Sequence, residues 1–133
     1  MAKEGRDSNR VAAILIRDCL DNILMGQRND GSGWANPGGH LKVGEQYFEG
    51  ALRELKEETG LDAVELKLIK MHKYGKILVY LFEAKVGIEQ DIDTSGDPDK
   101  EFSTLKYCDP NDIKEDLHVP LERNAVMQYW MES

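Results

Sequence analysis

The chain has 133 residues, 41% hydrophobic and 32% charged, a size and composition expected of a single domain with its own core. Its 25 acidic and 17 basic residues leave a net charge of −8, which argues against a stable complex with DNA or RNA but leaves small phosphorylated ligands open. The polar start MAKEGRDSNR, the lack of a membrane-length apolar run and the presence of only two cysteines lead us to expect a cytoplasmic protein with free thiols.

In chain order, residues 11–17 (VAAILIR) read as a buried strand. Residues 22–28 (NILMGQR) read as its hairpin partner across a turn at 18–21. Residues 34–45 (WANPGGHLKVGE) form a structured loop, because three glycines and a proline permit positive φ and close approach of the backbone to a metal or phosphate; the plainer alternative for Gly38-Gly39 is an ordinary turn. A helix follows, with Phe48, Ala51, Leu52 and Leu55 as its apolar stripe, Glu49 and Lys56 facing water, and Thr59-Gly60 as its stop. Residues 64–73 and 77–86 alternate as strands joined by a turn at 74–76, and residues 88–101 form an acidic loop. Residues 102–108 give a last strand, Asp109 starts a short helix, and Leu121, Ala125, Val126, Tyr129 and Trp130 mark a terminal amphipathic helix.

Glu54, Glu57 and Glu58 are neighbours on the first helix, and like charges at that spacing destabilise a helix by roughly 0.2–0.5 kcal/mol per pair. They also sit near its C-terminal end, where the macrodipole disfavours carboxylates. A solvated acidic face is the plain alternative. Convergence on a hard divalent cation such as Mg²⁺ or Mn²⁺ accounts for the arrangement better once the glycine loop stands in front of it.

The whole segment resembles the signature of the Nudix hydrolases (MutT-like), GX5EX7REUXEEXGU with U a bulky aliphatic residue. Gly39, Glu45, Arg53, Glu54, Leu55, Glu57, Glu58, Gly60 and Leu61 match every defined position. The resemblance implies an α/β/α sandwich with a mixed central sheet over residues 1–133. It implies Mg²⁺, with Mn²⁺ as a substitute, held by Glu54, Glu57, Glu58 and the Gly38 carbonyl. Arg53 would orient the carboxylates, Glu45 would support them, and a late acid would join, with Glu101 preferred to Asp97 and Asp99. The general base is left among Glu58, Glu54 and that late acid.

The implied chemistry is hydrolysis of a phosphoanhydride in a nucleoside diphosphate linked to another group, by water attack at phosphorus. Arg28, Gly39, His40 and Trp34 are the candidate substrate contacts, with Trp34 and Tyr47 as possible base-stacking groups. The loop wording is similar to the sub-group that converts nucleoside triphosphates to monophosphate and pyrophosphate. A dinucleoside polyphosphate is the next reading, because Tyr80 lies near the tyrosine of that sub-group. ADP-ribose is disfavoured by the lack of a proline some fifteen residues past the signature. A nucleotide-sensing, non-catalytic domain is the alternative of another class, against which the complete carboxylate set argues. A small nucleotide is the expected partner, with the chain a monomer or homodimer.

Overall fold

The computed structural model describes residues 5–87, 90–97 and 101–133. Strand β1 (Arg6–Ile16) is the centre of the architecture. It pairs antiparallel with β4 (Gly38–Lys42) on one edge and parallel with β6 (Ile77–Val86) on the other, and β5 (Ala63–Tyr74) pairs antiparallel with β6 to complete the order β4-β1-β6-β5. A second sheet, all antiparallel, has β2 (Ile23–Arg28) between β3 (Trp34–Ala35) and β7 (Phe102–Cys108).

The uninterrupted apolar run of β1 follows from burial on both faces. Ala12, Ile14 and Ile16 join Leu41, Ala51, Leu55 and Phe82 in one core beneath α1 (Tyr47–Thr59). Leu15 turns the other way, to Ile23, Met25, Leu81 and the apolar side of α2 (Pro110–Ile113) and α3 (Ala125–Glu132). Helices therefore cover both faces of a mixed sheet, as the resemblance implied. Among the described residues no helix is long and apolar enough to cross a membrane, and Cys19 and Cys108 are free thiols.

Several expectations need correction. The strands β1 and β2 do not form a hairpin. Both edges of β1 are taken, and the Asp18 carboxylate accepts the Leu20 and Asn22 amides in a turn that carries the chain out of the sheet, leaving only an Arg17–Ile23 bridge. The glycine loop is not all loop, since its two halves pair as β3 and β4. The apolar stripe of α1 is also rotated from the expected one. Phe48 and Leu52 are exposed, and the buried face runs through Gly50, Ala51, Leu55, Glu58 and Thr59, because α1 presses its small residues against Leu41. The terminal helix is split: Leu121–Arg123 makes a single 3-10 turn, and Asn124 then caps α3 by accepting the Met127 amide.

Candidate active site

The site lies where edge strand β4 runs beside the C-terminal half of α1. Gly60, left-handed at φ 74°, closes the helix with its amide on the Lys56 carbonyl, so Glu54, Glu57 and Glu58 fall in the last two turns as the sequence indicated. The Gly38 amide donates to the Glu58 carboxylate at 2.6 Å. At Gly39 a Cβ would stand 2.9 Å from all three atoms of the Glu54 carboxylate, so the bare backbone makes the room that group occupies. Gly38 has φ 142°, and a Cβ there would run into the Ala12 carbonyl of β1. Gly38→Ala is therefore expected to cost about 1–3 kcal/mol in backbone strain, with the clash adding to it, and to displace the amide from Glu58. Thermal melts of both forms check the strain; a variant with wild-type stability would contradict this reading of the strand.

Arg53 organises the acids. Its guanidinium grips Glu45 with Nε at 2.9 Å and Nη2 at 3.0 Å, while Nη1 donates to Glu54 at 3.1 Å and to Glu57 at 3.2 Å. Nη2 also reaches the His40 carbonyl at 3.3 Å, tying helix to strand. The Glu45 carboxyl is held below its ordinary range, chiefly by the Arg53 hydrogen bonds. Those same bonds raise the Arg53 guanidinium further, so it stays charged.

The other carboxyls behave oppositely. Glu58 is 3% exposed, and burial pushes its carboxyl up to about 10, with the Gly38 amide opposing and Glu54 and Glu101 adding to the rise. Burial likewise lifts Glu54 to about 7 against the pull of Arg53. Two desolvated carboxyls side by side would be ionised most readily with a compensating cation between them. Hard oxygen donors suit a divalent metal ion. Among the described residues, however, no three such side chains already converge as a finished cage, because Arg53 draws Glu54 and Glu57 toward itself. Glu54, Glu57 and Glu58 fit the ion provided those two turn from the guanidinium.

These acids form one wall of a cleft of about 900 Å³. Gly38, Gly39, His40 and Arg53 share that wall, while Glu45 stands behind it. Beside them come Glu101, just before β7, whose carboxyl meets that of Glu58, and Arg28, at the end of β2, 3.9 Å from Glu101 through Nη1 and Oε2. Asp97 also lines the cleft, buried, and accepts the Glu101 amide at 3.2 Å; Asp99 lies outside the described residues. His40 takes a hydrogen bond from Arg6 on Nδ1 at 2.6 Å, which leaves Nε2 as the protonated nitrogen of the neutral ring. Burial, helped by Arg6, holds His40 below its ordinary value.

Trp34 is not among the lining residues. Its ring packs on the second core with the Lys106 ammonium 5.5 Å from its centroid, and its backbone bonds to Asp116 and His118, so β3 fixes it away from the cleft. Tyr47 is also turned away, stacked on Tyr80 at 4.9 Å in the first core. The apolar lining of the cleft instead includes Val11 and Ala13 of β1, Val79 and Ile77 of β6, and Phe102 of β7. Strand alternation could have grouped Ile77 with Val79, but nothing in the sequence says which face of β6 borders the acids.

A family model for the NUDIX domain matches residues 7–129. The chain belongs to the Nudix family. As a Nudix hydrolase it is an enzyme acting on acid anhydrides, at pyrophosphate bonds, and hydrolases of this family act on small nucleotides and generally use divalent metal ions. It is 27% identical to an RNA pyrophosphohydrolase of Novosphingobium aromaticivorans over 86% of this chain and 85% of that protein. It is 37% identical to an m7GpppN-mRNA hydrolase of Xenopus laevis over 47% of this chain, but that match spans only 23% of the frog protein. Among solved structures, a MutT from a study of Aliivibrio salmonicida and Vibrio cholerae superposes with a TM-score of 0.72 at 20% identity, covering 92% of this chain and 98% of that one, which establishes the fold.

Proposed function

We propose that this Nudix domain hydrolyses a nucleoside triphosphate to the monophosphate and pyrophosphate, with Mg²⁺ as the physiological ion and Mn²⁺ as a substitute. The observation that carries the reading is the juxtaposition, in one cleft, of the buried acid Glu58 and the half-buried Glu54 with the apolar side chains of Val11, Ala13, Val79 and Ile77. Those side chains suit a nucleobase and the acidic wall suits a cation-bearing polyphosphate, so the inner phosphates fall between them.

In this reading Glu54, Glu57, Glu58 and the Gly38 carbonyl hold the ion, and Glu101, already beside Glu58, joins them. When bound, the ion neutralises the phosphate oxygens and acidifies water. Arg53 and Glu45 keep the carboxylates aimed. Arg28 offers its guanidinium to a phosphate, and the His40 Nε2–H and the open backbone at Gly39 offer contacts beside it. The proton of the attacking water goes to one of Glu58, Glu54 or Glu101. We assign no stacking role to Trp34, whose place those apolar residues take.

The test is product analysis by chromatography with Mg²⁺. Nucleoside triphosphates are expected to give monophosphate and pyrophosphate, with no orthophosphate until a pyrophosphatase is added, and chelation is expected to abolish turnover. Preference for ADP-ribose, giving AMP and ribose phosphate, would refute the triphosphate reading and leave the Nudix chemistry standing.

A further inference from the structure

One side of the cleft is not used by the chemistry at phosphorus. Residues of β1 alternate between the two cores, Ala12 and Ile14 in the first and Ala13 and Leu15 in or against the second. Val11 therefore shares the side of Ala13, and its parallel partner Val79 stands there with it. Ala125 and Val126 belong to the second core and line the same cleft from α3.

Asn36 enters this apolar side from the link between β3 and β4. The link is fastened to β1, because the Ile14 amide donates to the Pro37 carbonyl at 3.0 Å and Gly38 pairs with Ala13. The half-buried Asn36 side chain points toward the second core, where its Nδ2 donates to Sδ of the fully buried Met25 at 3.1 Å. A thioether is a weak acceptor. Among the described residues the Asn36 Oδ1 accepts no hydrogen bond, and one Nδ2 hydrogen is left over. Asn124 also lines the cleft but has nothing to spare: its Oδ1 accepts the Met127 amide and its Nδ2 donates to the Val119 carbonyl. His118 and Arg123, the nearby cleft residues with donors, are exposed.

We infer that Asn36 is the residue that selects the nucleobase, and that it selects adenine, an assignment that rests on the triphosphate reading of the site. An amide with a free acceptor beside a free donor is matched by a base edge carrying a donor beside an acceptor. Adenine has that pair on two edges, with its N6 amino group next to N7 on one and next to N1 on the other. On either, Oδ1 accepts from N6 while Nδ2 donates to the ring nitrogen. Guanine matches less well. Its O6–N7 edge carries two acceptors, which would set Oδ1 against a lone pair, so only the edge through N1 remains. The same four-residue stretch then serves both ends of the substrate, with Asn36 on the base and Gly38 and Gly39 beside the acids.

The experiment measures kcat and KM in Mg²⁺ for three triphosphates: adenosine, guanosine and purine riboside, the last being adenosine without its amino group. Wild type is expected to favour adenosine triphosphate over purine riboside triphosphate by about 5–150-fold in kcat/KM, the discrimination of one bidentate amide–base pair, with guanosine triphosphate also below adenosine. Asn36→Leu should bring the adenosine to purine riboside ratio close to one. The loss should fall on KM for adenosine triphosphate and leave kcat in place, because the base contact is the same in the ground and transition states. Asn36→Asp keeps the shape and the acceptor but donates nothing, and its ratio should lie between the two. Thermal melts check that both variants are folded; a merely structural role for Asn36 would move the melts and not the ratio. A wild type that handles purine riboside triphosphate as well as adenosine triphosphate, a preference for guanosine, or an Asn36→Leu variant that keeps the wild-type ratio would overturn the assignment and leave triphosphate hydrolysis standing. Failure to release pyrophosphate from any of the three would overturn both.

Discussion

Glu58→Gln is expected to lower kcat by about 10²–10⁴-fold, the range for losing a group that handles the reacting proton, while the metal-free protein keeps its fold. The two halves of that result have one cause. The Glu58 carboxyl, pushed up to about 10 by burial, already holds its proton at neutral pH without a metal ion, and glutamine copies that neutral form, including an oxygen to accept the Gly38 amide. What glutamine cannot supply is the anion. The thermal stabilisation that Mg²⁺ is expected to give the wild type should shrink or vanish in the variant.

The same substitution changes the pH dependence of stability. Glu54 and Glu58 sit above their ordinary value of 4.5 in the fold, at about 7 and about 10, so the folded chain binds protons that the unfolded chain has released. Metal-free stability is therefore fully present below about 4.5 and declines as the pH rises through 7 toward 10. Melting temperatures from pH 5 to 9 should fall in the wild type and fall less steeply in Glu58→Gln. Near wild-type turnover, or parallel stability profiles, would remove Glu58 from the centre of the site.

Arg53→Lys is expected to be nearly as damaging by a different route. A lysine ammonium cannot form the two-pronged contact with Glu45 while also reaching Glu54, Glu57 and the His40 carbonyl. We expect kcat to fall about 10–100-fold, as when a group orienting metal ligands is lost. Breaking a buried ion pair costs 3–5 kcal/mol; with the Arg53 side chain 21% exposed and Glu45 13% exposed, about 1–3 kcal/mol is the discounted expectation. Denaturant melts and steady-state rates at saturating Mg²⁺ check both figures. An unchanged rate would mean that the carboxylates need no such anchor.

The signature made the acidic wall legible, because its carboxylates and glycines are fixed at short spacing on one strand and one helix. Glu101 was reachable only as a candidate, since it arrives from a separate sheet through contacts with Asp97 and Asn29 that no local pattern encodes. Strands β5, β6 and β7 were readable from alternation, and β6 and β7 at their observed limits. The false hairpin came from treating proximity in sequence as pairing, when β1 had both edges filled by partners from 22 or more residues away. Trp34 misled because an aromatic beside a glycine loop looks the same whether it faces a ligand or a core. The exposed Phe48 shows the matching error on α1, where Gly50 and Ala51, by their small size, set the side that approaches the sheet.

The double burial of β1 ties the active site to the cooperativity of the whole molecule. One strand supplies the neighbour of Gly38 and Gly39, part of the apolar side of the cleft and part of the apolar packing of both helical layers. An opening that frees α1 must also strip side chains from the strand on which α3 depends. Partial unfolding that detaches the carboxylate helix is therefore expected to disturb the apolar side of the cleft as well, so that the site is retained or lost as a unit.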